Sequence, residues 1–278
     1  MSRESFLTFA GTMVVLEKAF SVKHIATFGL VTIKPEDPVS PVLSAYPLFD
    51  QFPVEVDERV VGVVERNIRV GSRLAREVMR PLDDSLLIAA EEPLENFIRL
   101  IGKPPHFRMV LQGSKITGIV TRSDLIKLPV RLLVFARVTY LEMIMAEIIQ
   151  LCCPNPEDWM EMLTEDRQIA VLKEQRRHQR EKAELPLVEM TSILDKGDIV
   201  RKVLGLDETF SRDLEEVRKL RNKVAHGGKF TDKREPVIQF INQISTMDRW
   251  ITELCNNLSV LAVPALHRDP YRSDSVNI

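Results

Sequence analysis

The chain has 278 residues, with 38 Lys and Arg against 40 Asp and Glu, a net charge of −2. That balance supplies no global basic field, so any nucleic-acid site has to be a local patch. An apolar fraction of 45% and a charged fraction of 28% are ordinary for a globular protein, and the length suggests two domains with ample core.

Residues 1–23 read as a helix or an irregular lead-in. Arg3 and Glu4, and an apolar run that stops at Glu17-Lys18, predict neither a signal peptide nor a membrane span. From about His24 the chain repeats itself. Phe52-Pro53-Val54 followed by Arg59-Val60-Val61-Gly62-Val63-Val64-Glu65-Arg66 matches Arg108-Met109-Val110 followed by Lys115-Ile116-Thr117-Gly118-Ile119-Val120-Thr121-Arg122, at an offset of 56 residues. Glu36-Asp37-Pro38-Val39 matches Glu91-Glu92-Pro93-Leu94 at an offset of 55, and the slip falls to the loops at Tyr46-Pro47 and Lys103-Pro104-Pro105.

Each unit predicts a short apolar strand (Val31-Thr32-Ile33; Leu86-Leu87-Ile88) and an acidic-Pro helix start. A short helix and a hairpin follow, with turns at Glu55 to Arg59 and Gln112 to Lys115, and a helix resuming near Arg122 closes the unit. This β-α-β-β-α order, with Gly118-Ile119-Val120-Thr121-Arg122-Ser123-Asp124-Leu125 at the strand-to-helix junction, resembles the CBS domain, a module found in tandem pairs. The resemblance implies a cleft that binds an adenine nucleotide such as AMP or ATP as a regulatory ligand. Thr121 would offer its hydroxyl and nearby N–H groups to a phosphate, Arg122 would add charge, and Asp124, one turn on, would accept from ribose hydroxyls. The first unit has Glu65 for the Thr and Ile68 for the Asp, so one competent site per chain is expected. The plainer reading of Thr121 and Asp124 is an ordinary helix N-terminus.

Leu128-Pro129 marks a seam, after which apolar residues recur at helical spacing. Helices are predicted at about 130–151, 157–183, 187–204, 207–226 and 234–260, and residues 264–278 read as a polar tail. The first is the most apolar, but Arg137, Glu142 and Glu147 argue for a buried helix and against a bilayer one. Glu142 and Glu147 are candidate buried partners for Arg221 or His226 further along the chain, or equally rim residues. Lys173 to Lys182 is rich in Lys and Arg, and Glu174 and Glu181 dilute it toward a solvated helix face. Cys152, Cys153 and Cys255 form no metal-ligand spacing and no even disulfide framework, as in a reducing cytoplasm.

The fourth helix ends in Leu220-Arg221-Asn222-Lys223-Val224-Ala225-His226-Gly227-Gly228. Leu214, Val217, Leu220 and Val224 share one side, and Gly227-Gly228 is a stop signal. Asn222 and His226 are an i,i+4 pair roughly opposite that stripe, with Arg221 on its flank. Chance supplies about 0.4 Arg–His pairs at this spacing, and requiring Asn after Arg lowers this to about 0.01. The stretch resembles the Arg-x4-6-His motif of HEPN-domain ribonucleases, and five helices with the motif closing the fourth resemble the HEPN bundle. The expected architecture is therefore α/β plus all-α: a tandem CBS pair over 1–129 and a HEPN-like helical domain over 130–278.

The HEPN resemblance implies metal-independent RNA cleavage to 2′,3′-cyclic phosphate ends. Arg221 would hold the phosphoryl oxygens, Asn222 would orient the site, and His226 would act as acid or base. It further implies a homodimer that brings two motifs together, no catalytic cofactor or metal, and a toxin or defence role with a neutralising partner. Two other classes compete: a non-catalytic nucleotide-responsive scaffold, and a CBS-regulated metabolic enzyme. The metabolic enzyme is disfavoured by the lack of a phosphate-binding glycine loop, nucleophile elbow or metal motif.

Overall fold

The computed structural model describes residues 3–66, 72–181, 185–225 and 234–262. By internal contact the chain divides into two units. One comprises Val15–Arg131 with Phe230–Ile238, and the other Leu132–Lys229 with Met1–Val14 and Gln239–Ile278.

In chain order come α1 (Arg3–Ala19), a 3-10 turn at Val22–His24 and β1 (Thr27–Phe28). The first repeat holds α2 (Val39–Ala45), β2 (Gln51–Val56) and β3 (Arg59–Glu65), and α3 (Ala75–Val78) and β4 (Arg80–Pro81) follow it. The second repeat holds β5 (Leu87–Ala89), α4 (Leu94–Leu100), β6 (Phe107–Gln112) and β7 (Lys115–Thr121), then a 3-10 turn at Arg122–Ile126.

The internal repeat is present in the strand register. Gln51 lies opposite Glu65 as Phe107 lies opposite Thr121, and both hairpins shift register at the same place, between Val54 and Glu55 and between Val110 and Leu111. Both short helices have their proline, Pro38 or Pro93, at the N-cap. The slip in offset falls between helix and hairpin, in residues 46–50 and 101–106, as the loop prolines indicated. Val31-Thr32-Ile33 is less regular than predicted: Ile33 forms one parallel bridge to Val54, where β5 runs parallel to β6 over three residues. The cause is local, because Lys34 turns its N–H onto the Asp37 carboxylate at 2.7 Å and Pro35 has no N–H to extend the ladder.

The two repeats exchange their leading segments. β1 precedes the first repeat yet pairs with β7 of the second, and β4 precedes the second yet pairs with β3 of the first. The sheets are accordingly β1-β7-β6-β5 and β2-β3-β4. The backbone bonds match pairwise. Val22 N–H donates to Glu92 O and Lys23 N–H to Ala90 O, while Ala75 N–H donates to Asp37 O and Arg76 N–H to Pro35 O. Val63 from the first repeat packs with Leu86, Phe107 and Met109 from the second in one shared core.

After the repeats come α5 (Leu128–Cys152), α6 (Pro156–Met160), α7 (Glu165–Arg180), a 3-10 turn at Leu187–Met190, α8 (Ile193–Leu204), α9 (Glu208–Ala225) and α10 (Arg234–Ala262). Among the described residues no helix is long and apolar enough to cross a membrane. The core gathers Leu141, Met145 and Ile148 of α5, Ile199 and Val200 of α8, Phe210 and Leu214 of α9, and Met247 and Trp250 of α10. Arg137, nearly fully buried on α5, is paired with Asp248 on α10 at 3.3 Å.

The single helices predicted at 157–183 and 187–204 are each interrupted. Trp159 and Leu163 both enter the core, which bends the chain sharply between them, and α7 restarts after Thr164 with Glu165 and Asp166 in its first turn. Ser192 then starts α8 as a true N-cap: its hydroxyl accepts from Asp195 N–H, and the Asp195 carboxylate takes the Ser192 N–H at 2.8 Å. Gly205, at φ 66°, ends α8 in the left-handed conformation that a helix C-cap favours.

Two predictions follow from this packing. A Cβ on Gly118 would come within 2.8 Å of Thr27 O, and one on Gly62 within 2.8 Å of Arg80 O, so glycine is what admits each exchanged strand. Gly118→Ala and Gly62→Ala should each lower the unfolding free energy by about 1–3 kcal/mol in urea titrations, with a control such as Gly113→Asn nearer neutral. The second concerns buried Asp195. Burial pushes its carboxyl up, but the Arg167 guanidinium, bonded at 2.8 and 2.5 Å, and the Ser192 donors outweigh this and hold it below the usual range. A depressed carboxyl stabilises above its unfolded value and loses that contribution as pH falls through the native one. The stability gap between wild type and Asp195→Asn should therefore be full at neutral pH and close below about pH 4.

Candidate functional site

The first candidate is the junction after β7. Thr121 is extended, at φ −133° and ψ 176°, and caps the turn that follows, its hydroxyl accepting from Ser123 N–H at 3.2 Å. Asp124 points back at it: Oδ2 accepts from Thr121 N–H at 2.6 Å and from the Thr121 hydroxyl at 3.1 Å. Oδ1 meets Lys127 Nζ at 2.7 Å, and that ammonium also donates to Ile25 O. Thr121 and Asp124 are thus brought together as the sequence suggested, but their groups are engaged with each other and with the local backbone. Arg122 lies beside them, half-buried, with no hydrogen bond or ion pair among the described residues.

The first repeat uses the matching place differently. Arg66, the counterpart of Arg122, donates to the carbonyls of Leu43, Tyr46 and Phe49 and fixes that loop. Ile68, the counterpart of Asp124, lies outside the described residues.

The second candidate is the end of α9. Phe210, Leu214, Val217, Leu220 and Val224 are all buried, as the helical spacing required. Asn222 is exposed, and the Arg221 side chain is 43% exposed. His226, Gly227 and Gly228 lie outside the described residues. Arg221 Nε is 3.6 Å from Glu142 Oε1 on α5, an ion pair too long for a hydrogen bond. Its guanidinium makes no hydrogen bond among the described residues. Arg167 and Arg218, by contrast, each spend two donors on one carboxylate.

Glu142, half-buried on α5, feels charges from three other elements: Arg221 on α9, buried Lys196 on α8 and exposed Glu189 on the 3-10 turn. Lys196 on α8 is 3% exposed and donates from Nζ to Thr191 O at 3.0 Å. Burial pushes the Glu142 carboxyl up, Arg221 and Lys196 pull it back, and Glu189 from the 3-10 turn pushes it further up. Burial likewise lowers Lys196 against the pull of Glu189 and Glu142. Glu142 is therefore a partner of Arg221, whereas Glu147 leaves its buried Oε2 without a hydrogen bond among the described residues.

Lys196 and Glu189 escaped the sequence reading. One signal existed, since Lys196 falls between the buried Ile193 and Val200 on the apolar side of α8. Of the run Lys173 to Lys182, residues 173–180 lie on α7, where Glu174 pairs with Arg177 and lies 3.3 Å from His178, and Lys182 lies outside the described residues.

Comparison with known proteins bears on the first candidate. The sequence model of the CBS-domain family matches residues 75–131. A crystallised CBS domain is 21% identical, over 38% of this chain and 94% of its own, with a TM-score of 0.35. The CBS domain of the bacterial CNNM/CorC family Mg2+ transporter in complex with ATP is 17% identical, over 43% and 92%, with a TM-score of 0.35. A CBS domain-containing protein from Thermotoga maritima is 14% identical, over 38% and 91%, with a TM-score of 0.32. No curated protein matches the sequence. The chain thus carries a CBS domain at residues 75–131, in a CBS-type α/β region followed by a helical one.

Proposed function

We propose that this protein is a nucleotide-responsive ribonuclease of HEPN type, with a tandem CBS pair as its sensor. The observation that carries the catalytic half is the state of Arg221. It flanks the buried stripe of its helix, the Glu142 carboxylate lies 3.6 Å from its Nε, and its side chain is 43% exposed and makes no hydrogen bond among the described residues. A guanidinium so presented suits two oxygens of a phosphodiester. Asn222 shares the exposed edge, and His226, four residues on, completes the motif. The RNA 2′-OH attacks the adjacent phosphorus, Arg221 holds the non-bridging oxygens as charge builds, and an imidazolium at His226 protonates the departing 5′-oxygen. A second chain across a two-fold axis supplies the other proton-transfer group, which makes the active form a homodimer. Uncontrolled RNA cleavage fits a toxin or defence effector in the cytoplasm.

In the sensor half, Thr121 and Arg122 receive a phosphate, and Asp124 exchanges its contact with the Thr121 hydroxyl for a ribose hydroxyl. A second reading, a non-catalytic nucleotide-responsive scaffold, draws on the Asp124 cap and the Arg221–Glu142 pair, both of which also serve stability alone.

Purified protein should cleave RNA in EDTA and leave 2′,3′-cyclic phosphate ends, and Arg221→Ala or His226→Ala should lower the rate by about 100-fold or more. Wild type as inert as both variants would favour the scaffold. In calorimetric titration with AMP and ATP, Asp124→Ala should weaken binding about tenfold or more, beyond the ~1 kcal/mol of stability expected from losing the cap. Heat signals absent for every nucleotide, or unchanged in Asp124→Ala, would remove the sensor role.

A further inference from the structure

We infer that Glu142 is the positioning residue for Arg221, its carboxylate steadying the guanidinium from the Nε side so that both terminal nitrogens face an incoming phosphodiester. This rests on the ribonuclease reading above. Glu142 stands on α5 and Arg221 on α9, so the pair sets one helix end against another element of the same unit. The 3.6 Å separation attracts the guanidinium without consuming a donor. A carboxylate that took two donors, as Glu215 does from Arg218, would leave fewer for a ligand.

The surroundings keep Glu142 ready for this task. Arg221 from α9 and Lys196 from α8 favour its ionised form, and Glu189 from the 3-10 turn opposes it. Lys196 is fixed by Thr191 O, so its charge cannot swing away to solvent. Two positive and two negative charges face one another here, with Lys196 buried and Arg221 and Glu189 open to solvent. Burial holds the Glu142 carboxyl above the usual range, so it takes up a proton at a higher pH than an exposed glutamate does. Protonation removes the attraction that orients Arg221, and loss of activity on the acid side follows.

The test compares wild type, Glu142→Gln, Glu142→Asp, Arg221→Ala and the double variant Glu142→Gln/Arg221→Ala. RNA cleavage is measured from pH 5 to 8, and binding of a 2′-O-methyl RNA oligonucleotide, which cannot be cleaved, is measured by anisotropy. Glu142→Gln should lower kcat/KM about 10- to 100-fold at pH 7 and make the acid-side fall shallower than in wild type, leaving only the part set by the proton-transfer groups. Glu142→Asp should recover part of the rate, and Glu142→Gln should cost nothing further once Arg221 is Ala. A merely structural role would not produce that non-additivity.

If wild type cleaves RNA and Glu142→Gln matches it in rate and pH profile, or adds its full effect to Arg221→Ala, the positioning role is overturned and the ribonuclease reading stands. If wild type does not cleave, the ribonuclease reading falls, and oligonucleotide binding decides the rest. Binding lost in both Glu142→Gln and Arg221→Ala upholds the positioning role, and binding absent or unaffected overturns it.

Discussion

Close backbone approach at two glycines governs the α/β unit. Gly62 and Gly118 occupy equivalent places in their hairpins, and each lies against a strand that belongs, by sequence, to the other repeat. An added Cβ at either would meet a carbonyl oxygen, a group that cannot move without breaking the ladder. Because the exchange is reciprocal, neither sheet is complete alone. The shared core at Val63, Leu86, Phe107 and Met109 carries the same dependence into the side chains. This gives a short repeat, whose own apolar surface is small, a partner that buries it.

The helical unit solves a different problem. Its core is apolar, but buried charges are placed within it or at its margin: Arg137 with Asp248, Asp195 with Arg167, and Glu142 with Arg221 and Lys196. An unpaired buried charge is costly, so each of these groups fixes the relative placement of the elements that carry it. The Asp195 contacts tie α7 to the start of α8, and the Arg137 contact ties α5 to α10. The Glu142–Arg221 pair differs in that its guanidinium makes no hydrogen bond among the described residues. Ion pairs elsewhere among the described residues of the unit are tighter, at 3.3 Å or less.

Hydrophobic spacing and short-range signals made much of this legible. The buried stripe of α9 follows from a period of 3.6, the repeat from a 55- to 56-residue offset, and the caps at Pro38 and Pro93 from the backbone limits of proline. The interruptions of the second and third predicted helices were less legible, because they depend on where Trp159 and Leu163 find core and on the Ser192–Asp195 cap, whose Asp is held by a distant arginine. For Glu142 and Glu147 the sequence leaves a partner at Arg221 or His226 and a rim position equally open, and packing pairs Glu142 with Arg221.

The sequence by itself determined the local order of elements, the repeat, the exposed Arg221-Asn222 edge and the Thr121–Asp124 cap, since each rests on residues within a turn or two of one another. Only the tertiary structure decided that the leading strands cross between repeats and that Glu142 meets Arg221 under the charges of Lys196 and Glu189. Those contacts join residues far apart in the chain, and which of many compatible polar groups meet depends on the packing of the apolar faces that carry them.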